Sequence, residues 1–287
     1  MMTAAAQPAP ASYFQNDPQN DPASRFQSAM FQFPGRPLPL ARRLALYNRV
    51  KRILRGYMDD QKYNEVPAPA AGIAAYLGRM IDRGFPAVWS ECQIEGGEGG
   101  PAGETRQEMI GVMGADRDEE SLLLLQMSLL ENVVRNLSAN LLGGRQITRL
   151  DRVLTCGHRR LSYTEACAIL DEHGHPVEPG ESIGPEKQAA LSRLCHNMPL
   201  QITDLPEAMA AQGLLANVAP GQAPRYHGIL LPYSGLTMIG CEIPAAVEGR
   251  FPRGGFTLNL GRLLQFLMGL ESVLDTVISP SHGMSRV

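Results

Sequence analysis

The sequence predicts an α+β fold, in which helices flank a largely antiparallel sheet, and three observations support this prediction. Short strand-like segments are separated irregularly by helical ones, without the regular alternation of a doubly wound sheet. Residues 228–231 and 237–243 are expected to be two strands of a hairpin around a Pro-Tyr-Ser-Gly turn. Residues 254–273 begin with the alternation of a strand, at Phe256 and Leu258, and continue with leucines at helical spacing.

Length and composition limit the class of protein. The chain can bury one large core, because 44% of its 287 residues are hydrophobic. A net charge of −3 gives no bulk attraction to nucleic acid or to an anionic membrane. No apolar run approaches the roughly 20 residues that a membrane-spanning helix needs. Five scattered cysteines and the lack of a secretory pattern predict free thiols and a cytoplasmic protein.

Composition also divides the chain into two parts. Residues 1–38 are rich in Ala, Pro, Gln and Asn, which predicts a low-complexity, mostly flexible N-terminal arm. The apolar residues of this arm could dock on the body or on a partner subunit. They are Phe26, Met30, Phe31 and Phe33. Residues 39–287 are expected to form a single domain.

Three helices are strongly marked in this domain. Residues 40–60 carry an apolar stripe among many arginines, and a solvated basic face is favoured over a phosphate- or RNA-binding one. Residues 118–142 are expected to form the longest helix, with Gly143 and Gly144 at its end. Ser162 and Glu165 have the spacing of a capping box and predict a helix start.

Residue types alone leave the chemistry open. Three short-spaced Cys/His or His/His pairs, near positions 156, 173 and 195, lack the two-plus-two spacing of structural zinc. Arg262 is the most notable polar residue, because it lies where an apolar strand meets an apolar helix. Either an anion meets its guanidinium group, or the side chain reaches solvent or pairs with a carboxylate.

The order of five segments resembles the catalytic core of the class II aminoacyl-tRNA synthetases, in the aspartyl and asparaginyl branch. Residues 40–69, ending in YNEVPAP, resemble motif 1, and residues 254–278, beginning GGFTLNLGRL, resemble motif 3. The three segments between them resemble stretches of the asparaginyl type. They are LSYTEACAIL at 161–170, PLQITDLP at 199–206 and ILLPYSGLTMIG at 229–240.

This resemblance implies a six-stranded antiparallel sheet with flanking helices, which binds ATP and forms an aminoacyl adenylate. It implies that Arg262 contacts the γ-phosphate, where a planar guanidinium suits a phosphate group. The motif 2 arginine, which would neutralise the activated acyl group, has Arg106 as its candidate, or an arginine among residues 145–160.

The resemblance also implies the remaining candidate site residues. Glu91, Glu108 and Glu242 would help to hold ATP and Mg²⁺, with Glu95 as a further candidate. Asp204 and Tyr233 lie in the segments expected to bind substrate. Pro69 matches the motif 1 proline at the dimer interface, which implies a homodimer. A short strand before paired prolines also fits a sheet edge.

The chain departs from the family pattern at several positions. Thr257 and Asn259 replace two motif 3 glycines, while Gly261 and Leu236 stand where acidic residues are expected. No anticodon-binding domain is expected in the N-terminal arm. We therefore expect a stand-alone, asparagine synthetase-like ligase that activates a small-molecule or peptide carboxylate with ATP, without tRNA. The alternatives are a non-catalytic binding or partner subunit, and ATP-independent chemistry in the same pocket.

Overall fold

The computed structural model describes residues 38–67, 73–95, 106–137, 141–155, 157–210, 224–243, 253–270 and 273–276. Pro69 lies outside these residues, as do residues 1–37 of the predicted N-terminal arm. The helices are α1 Leu40–Asp60, α2 Ile73–Asp82, α3 Glu119–Arg135, α4 Gly144–Thr155, α5 Tyr163–Glu172, α6 Pro185–Leu194, α7 Glu207–Ala210 and α8 Leu260–Met268, followed by a 3₁₀ turn, Val273–Thr276.

The strands form one eight-stranded sheet in the order β1-β2-β3-β8-β7-β6-β5-β4. Their bounds are β1 Asn64–Glu65, β2 Ala87–Glu95, β3 Arg106–Ala115, β4 Arg159–Ser162, β5 Leu200–Thr203, β6 Arg225–Leu231, β7 Gly235–Ile243 and β8 Arg253–Asn259. The six strands from β2 to β5 are antiparallel, and only the two outermost pairs are parallel. This confirms the predicted α+β class, and β1 forms the expected edge.

Two apolar layers cover the two faces of the sheet. Because successive strand side chains point to opposite faces, Trp89 and Ile110 join one layer while Val88 and Met109 join the other. The first face, which we call the α3 face, packs against α1, α3, α4 and α8. The second, the α2 face, packs against α2, α5 and α6.

Local signals set the ends of the predicted helices. The capping box at Ser162 and Glu165 is present, and it begins α5 at the next residue. Asn259 caps the start of helix α8, where its side chain accepts a bond from the backbone N–H of Arg262, and Gly269 caps the end in the left-handed conformation. The predicted strand-to-helix join at Arg262 is therefore confirmed.

The prediction of one long helix over residues 118–142 is wrong. Helix α3 ends at Arg135, α4 begins at Gly144, and the longest described helix is α1 with 21 residues. Asn136 caps α3, because its backbone N–H bonds back to Asn132 and Val134. The leucine stripe continues past this cap, since Leu137 and Leu141 still pack on the core, so periodicity alone did not show the break.

Candidate functional site

The Arg262 side chain is fixed by the turn between β6 and β7. Its Nη1 donates to the backbone oxygen of Leu236 at 3.2 Å and to that of Ser234 at 3.4 Å. The residue is half-buried, in the first turn of α8, with its backbone N–H on the Asn259 side chain at 3.0 Å. Two backbone carbonyl groups of the turn therefore help to orient its guanidinium group.

A second residue of α8 binds the same turn. The Gln265 side chain donates from Nε2 to the backbone oxygen of Tyr233 and to that of Leu270, both at 3.2 Å. Tyr233 and Gly235 both have left-handed backbone conformations, with φ of 68° and 73°. Helix α8 thus holds three carbonyl groups of this turn in an unusual local conformation.

Helix α6 holds the other side of the turn through Gln188. The buried amide of this residue accepts from the Leu236 backbone N–H at 2.8 Å and donates to the Ile183 oxygen at 2.7 Å. A side chain at Gly235 would lie 2.5 Å from Gln188 Oε1 and 3.0 Å from Arg262 Nη1, so glycine is needed there. We call Gln188, Arg262 and Gln265 the turn clamp.

The sheet register brings two other candidate residues, Arg106 and Tyr233, to the end of the sheet at which Arg262 lies. Met109 lies opposite Asn259, so the start of β3 and the end of β2 adjoin the start of α8. The Arg106 backbone lies there, opposite Glu95, although neither side chain is among the described ones. Arg106, Tyr233 and Arg262 therefore share one end of the sheet.

Glu91 and Glu108 lie near this end but face α1. Lys51 Nζ is 2.6 Å from Glu91 Oε2 and 2.7 Å from Glu108 Oε1, and Tyr47 donates to the other Glu108 oxygen at 2.7 Å. Burial opposes the charge on Lys51, but the bonds to both carboxylates outweigh it and raise its pKa. The lysine therefore stays charged and neutralises one of the two carboxylates.

Glu242 and Asp204 lie at the opposite end of the sheet. Both Glu242 oxygens accept from Arg225 Nη2, at 2.9 and 3.0 Å, and one also accepts the Glu119 backbone N–H at the start of α3. Burial, with the nearby charges of Asp204 and Glu242, raises the pKa of Glu119. The structure thus separates Glu242 and Asp204 from Arg262.

Magnesium does not fit three of its four candidate carboxylates; the fourth is Glu95, whose side chain is not among the described ones. Each described oxygen of Glu91, Glu108 and Glu242 faces a lysine, an arginine, a tyrosine hydroxyl or a backbone N–H. Within the described part of the chain, no group of three His, Cys, Asp or Glu residues could hold a metal ion. These carboxylates have the surroundings of structural ion pairs and a helix cap.

The departures from the motif pattern are built into the packing. Leu236 is 3% exposed and belongs to the apolar layer of the α2 face. Thr257 is buried between Gly111 and Ile239, and a side chain at Gly111 would meet Ile73 and Leu77 of α2 at 2.9 and 3.2 Å. Apolar side chains therefore occupy the α2 face around the positions that differ from motif 3.

Sequence reasoning missed Lys51, Gln188 and Gln265. Lys51 was grouped with a solvated basic face, although its i−4 neighbour Tyr47 shares its partner Glu108. The two glutamines have no motif, but Gln265 lies in an otherwise apolar helix face, and Gln188 lies on a buried face beside Ala190 and Leu191. A polar residue at such a position is a signal, because a buried amide needs hydrogen-bond partners.

No family model matches the chain. Among curated proteins it is similar to asparagine–tRNA ligases. It is 28% identical to that of Treponema pallidum over 165 residues, which is 47% of this chain and 31% of the relative. It is also 28% identical to that of Parabacteroides distasonis over 166 residues, 47% and 35% of the two chains. The matched segment thus spans about a third of these relatives.

Solved structures show the same architecture over a larger part of the chain. Asparaginyl-tRNA synthetase from Pyrococcus horikoshii, complexed with asparaginyl-adenylate, has a TM-score of 0.67 at 16% identity, covering 92% of this chain and 73% of that one. Aspartyl-tRNA synthetase from Entamoeba histolytica has a TM-score of 0.67 at 13% identity, covering 83% and 58%. This chain therefore has the core fold seen in the asparaginyl- and aspartyl-tRNA synthetases, a class II aminoacyl-tRNA synthetase fold.

Proposed function

We propose that the chain is an ATP-dependent ligase that activates a carboxylate. One observation carries the proposal: Arg262 is held at the start of α8, within a fold similar to a synthetase solved with an aminoacyl adenylate. A guanidinium group at this position suits the phosphates of ATP. The sequence similarity to asparagine–tRNA ligases supports an acidic or amide amino acid, or a peptide ending in one, as the carboxylate substrate.

The proposed reaction has two steps. A carboxylate oxygen attacks the α-phosphorus of ATP, the bond to the bridging oxygen breaks, and pyrophosphate leaves. An acceptor amine or hydroxyl then attacks the acyl carbon, AMP leaves, and the acceptor loses a proton to solvent. Arg262 would contact the phosphates, and Arg106, whose backbone lies at the same end of the sheet, would neutralise charge on the activated group.

Two versions of this ligase differ in the acceptor that attacks the activated carboxylate, which is either an amine or tRNA. The sequence predicted ammonia or another amine, and tRNA was not expected. The curated relatives are tRNA ligases, so they do not support the exclusion of tRNA. Incubation with ATP, labelled aspartate or asparagine, and either ammonia or total tRNA distinguishes them. Label in an amide product supports the amine acceptor, and label in acid-precipitable RNA supports tRNA.

The ligase proposal is tested through nucleotide binding. We expect ATP to raise the melting temperature of the protein, because a ligand of the native state stabilises it by mass action. Arg262→Ala should weaken ATP binding about tenfold or more, since a charge-assisted bond to phosphate is lost. Arg135→Ala, in an exposed ion pair with Glu131, is the matched control and should bind ATP normally. An unchanged ATP affinity in Arg262→Ala would contradict the proposal.

A non-catalytic core is the second candidate, and a specific observation favours it. Leu236 is buried where the resembling family has an acid, and the candidate carboxylates Glu91, Glu108 and Glu242 are already paired. Such a core would bind a partner or a small ligand without turnover. It predicts no exchange of labelled pyrophosphate into ATP with any amino acid, together with a stable complex with a catalytically active synthetase-like subunit. Exchange by the isolated chain would rule this candidate out.

We also propose a cytoplasmic homodimer. The motif 1-like segment supports it, since β1 is a two-residue edge strand that pairs only with β2 among the described strands. Pro69 remains the proposed interface residue. No described helix is long and apolar enough to cross a membrane. Sedimentation velocity should give a mass near twice the chain mass of 31.2 kDa. A monomer at micromolar concentration would contradict the homodimer.

A further inference from the structure

The turn clamp combines residues from two helices, two from α8 and one from α6. Arg262 and Gln265 lie on the same helix and reach three carbonyl groups of the turn. Gln188 comes from a different helix on the α2 face and takes the Leu236 backbone N–H. Leu236 is thus bound at both ends of its backbone, by Gln188 at its N–H and by Arg262 at its carbonyl oxygen.

Gln188 also lies against Gly235, the residue before Leu236. The hypothetical side-chain carbon of Gly235 would be 2.5 Å from Gln188 Oε1 and 3.0 Å from Arg262 Nη1, so both side chains close on this one glycine. The Gln188 amide is itself fixed, because its Nε2 donates to the Ile183 oxygen. Gln188 thus fixes the Leu236 backbone relative to α6, and the Leu236 carbonyl oxygen in turn holds the Arg262 guanidinium group.

We propose that Gln188 is a positioning residue, which acts through Leu236 to hold the Arg262 guanidinium ready for an anion. This inference rests on the proposed function, in which Arg262 contacts a phosphate. Arginine has many side-chain rotamers, and fixing one of them before binding removes an entropic cost from the binding step. The class of ligand is a polyphosphate, either the triphosphate of ATP or free pyrophosphate.

A purely structural role for Gln188 makes a different prediction. If the amide only fills polar space in the core, its loss would lower stability and leave anion affinity unchanged. Gln201 provides the matched comparison. It is also fully buried, its side chain bonds one described partner, Arg160 at 3.1 Å, and it lies on β5, away from the turn. Removing the amide of Gln201 should therefore affect stability alone.

The test uses methionine, which keeps the length of glutamine and cannot form these hydrogen bonds. Calorimetric titration with inorganic pyrophosphate and with ATP is carried out on the full-length protein and on Gln188→Met and Gln201→Met. We expect Gln188→Met to bind both anions about three- to tenfold more weakly, the effect of losing about one hydrogen bond. Gln201→Met should bind them like the wild type. Equal affinities in the two variants would overturn the proposal.

Hydrogen exchange on the wild-type protein tests the same proposal without a variant, so the test does not depend on Gln188→Met folding. If Gln188 and Arg262 hold the same residue, pyrophosphate binding should slow hydrogen exchange at the Leu236 backbone N–H, because coupling between two sites is reciprocal. Unchanged exchange at Leu236 in saturating pyrophosphate would contradict the proposal. The Gly228 N–H, in the middle of β6 and paired with Ile239 instead of the turn, serves as the internal reference.

Failure of this inference is distinguishable from failure of the proposed function. If Arg262→Ala loses pyrophosphate binding while Gln188→Met keeps it, the phosphate site stands and the positioning role is wrong. If the wild-type protein binds neither pyrophosphate nor ATP, both are wrong. Weaker binding in Arg262→Ala and Gln188→Met, with normal binding in Gln201→Met, supports both.

Discussion

The turn clamp and the Lys51 cluster hold polar side chains in two different ways. At the turn, Gln188, Arg262 and Gln265 bond to backbone groups, which are neutral dipoles. In the Lys51 cluster, the ammonium group lies between Glu91 and Glu108, so full charges face each other. Carboxylates that already bind a cation have little to offer a metal ion, so the Lys51 cluster is a poor metal site.

The largest effect on stability is expected from a charged side chain introduced at Leu236, in the turn. Leu236→Glu restores the acid of the resembling family, but the side chain lies in an apolar layer. We expect a loss of about 3 kcal/mol or more in the free energy of unfolding, as an unpaired buried carboxylate is costly. Chemical denaturation measures it, and Leu236→Met, expected to lose less than about 1.5 kcal/mol, is the control. Wild-type stability together with new magnesium-dependent ATP binding would show that the position still accepts a metal ligand.

A third polar region contains a buried histidine. His227 is buried on the α3 face against Gln126, and burial, with the charge of Arg160, lowers its pKa to about 4. Between the ordinary histidine pKa of about 6.5 and pH 4, the unfolded chain binds the proton and the fold does not. The free energy of unfolding should therefore fall by up to about 3 kcal/mol as the pH decreases through this range.

Urea denaturation at pH 7, 6, 5 and 4 measures this loss. The variant His227→Gln removes the titrating group and should flatten the decrease. Glu119, at the start of α3, and the carboxylates near it are the same in both proteins, so the difference between the two curves isolates His227. A decrease of the same size in the variant would assign the acid sensitivity to those groups.

Removing a charge from the Lys51 cluster should cost somewhat less. Lys51→Met removes the ammonium group that lies between Glu91 and Glu108, and leaves only Arg55, 3.8 Å from Glu91, as a nearby cation. We expect a loss of about 2 kcal/mol, below the value for a fully buried pair because these side chains are about one-fifth exposed. Thermal unfolding measures it. The triple variant Lys51→Met/Glu91→Gln/Glu108→Gln has no uncompensated carboxylates in the cluster, so it should recover most of the stability that Lys51→Met loses. No recovery would mean that the lysine contributes through packing.

The smallest effect on stability is expected at the N-cap of α8, which lies beside the turn clamp. Asn259→Gly replaces the N-cap of α8 with the glycine of the resembling motif. Glycine is a tolerable N-cap, so the expected loss is a few tenths of a kcal/mol. Thermal unfolding of this variant is compared with Ser162→Ala, in which the α5 cap is lost at about 1 kcal/mol. A larger loss in Asn259→Gly would show that the asparagine does more than cap the helix.

The sequence predicted the elements better than it predicted the grouping of site residues. Helix α1, the capping box and the join at Arg262 depend on local signals, and all three are present. The grouping of Glu91, Glu108 and Glu242 with Arg262 depended on the linear order of motifs. Which face a strand residue occupies is set by sheet register, and that register depends on pairing between distant segments. Lys51, on a helix far from β3 in sequence, was likewise not predictable as the partner of Glu108.

The central pairing of β3 with β8 has a consequence for how the protein folds. Ile110 lies opposite Leu258, so the middle of the sheet joins segments about 150 residues apart in the chain. During synthesis, β3 leaves the ribosome long before its partner exists, and its inner edge stays open until β8 is made. An open strand edge is a template for pairing with other chains. Folding should therefore be slow, and yield should depend on protection of the growing chain more than on the stability of the finished sheet.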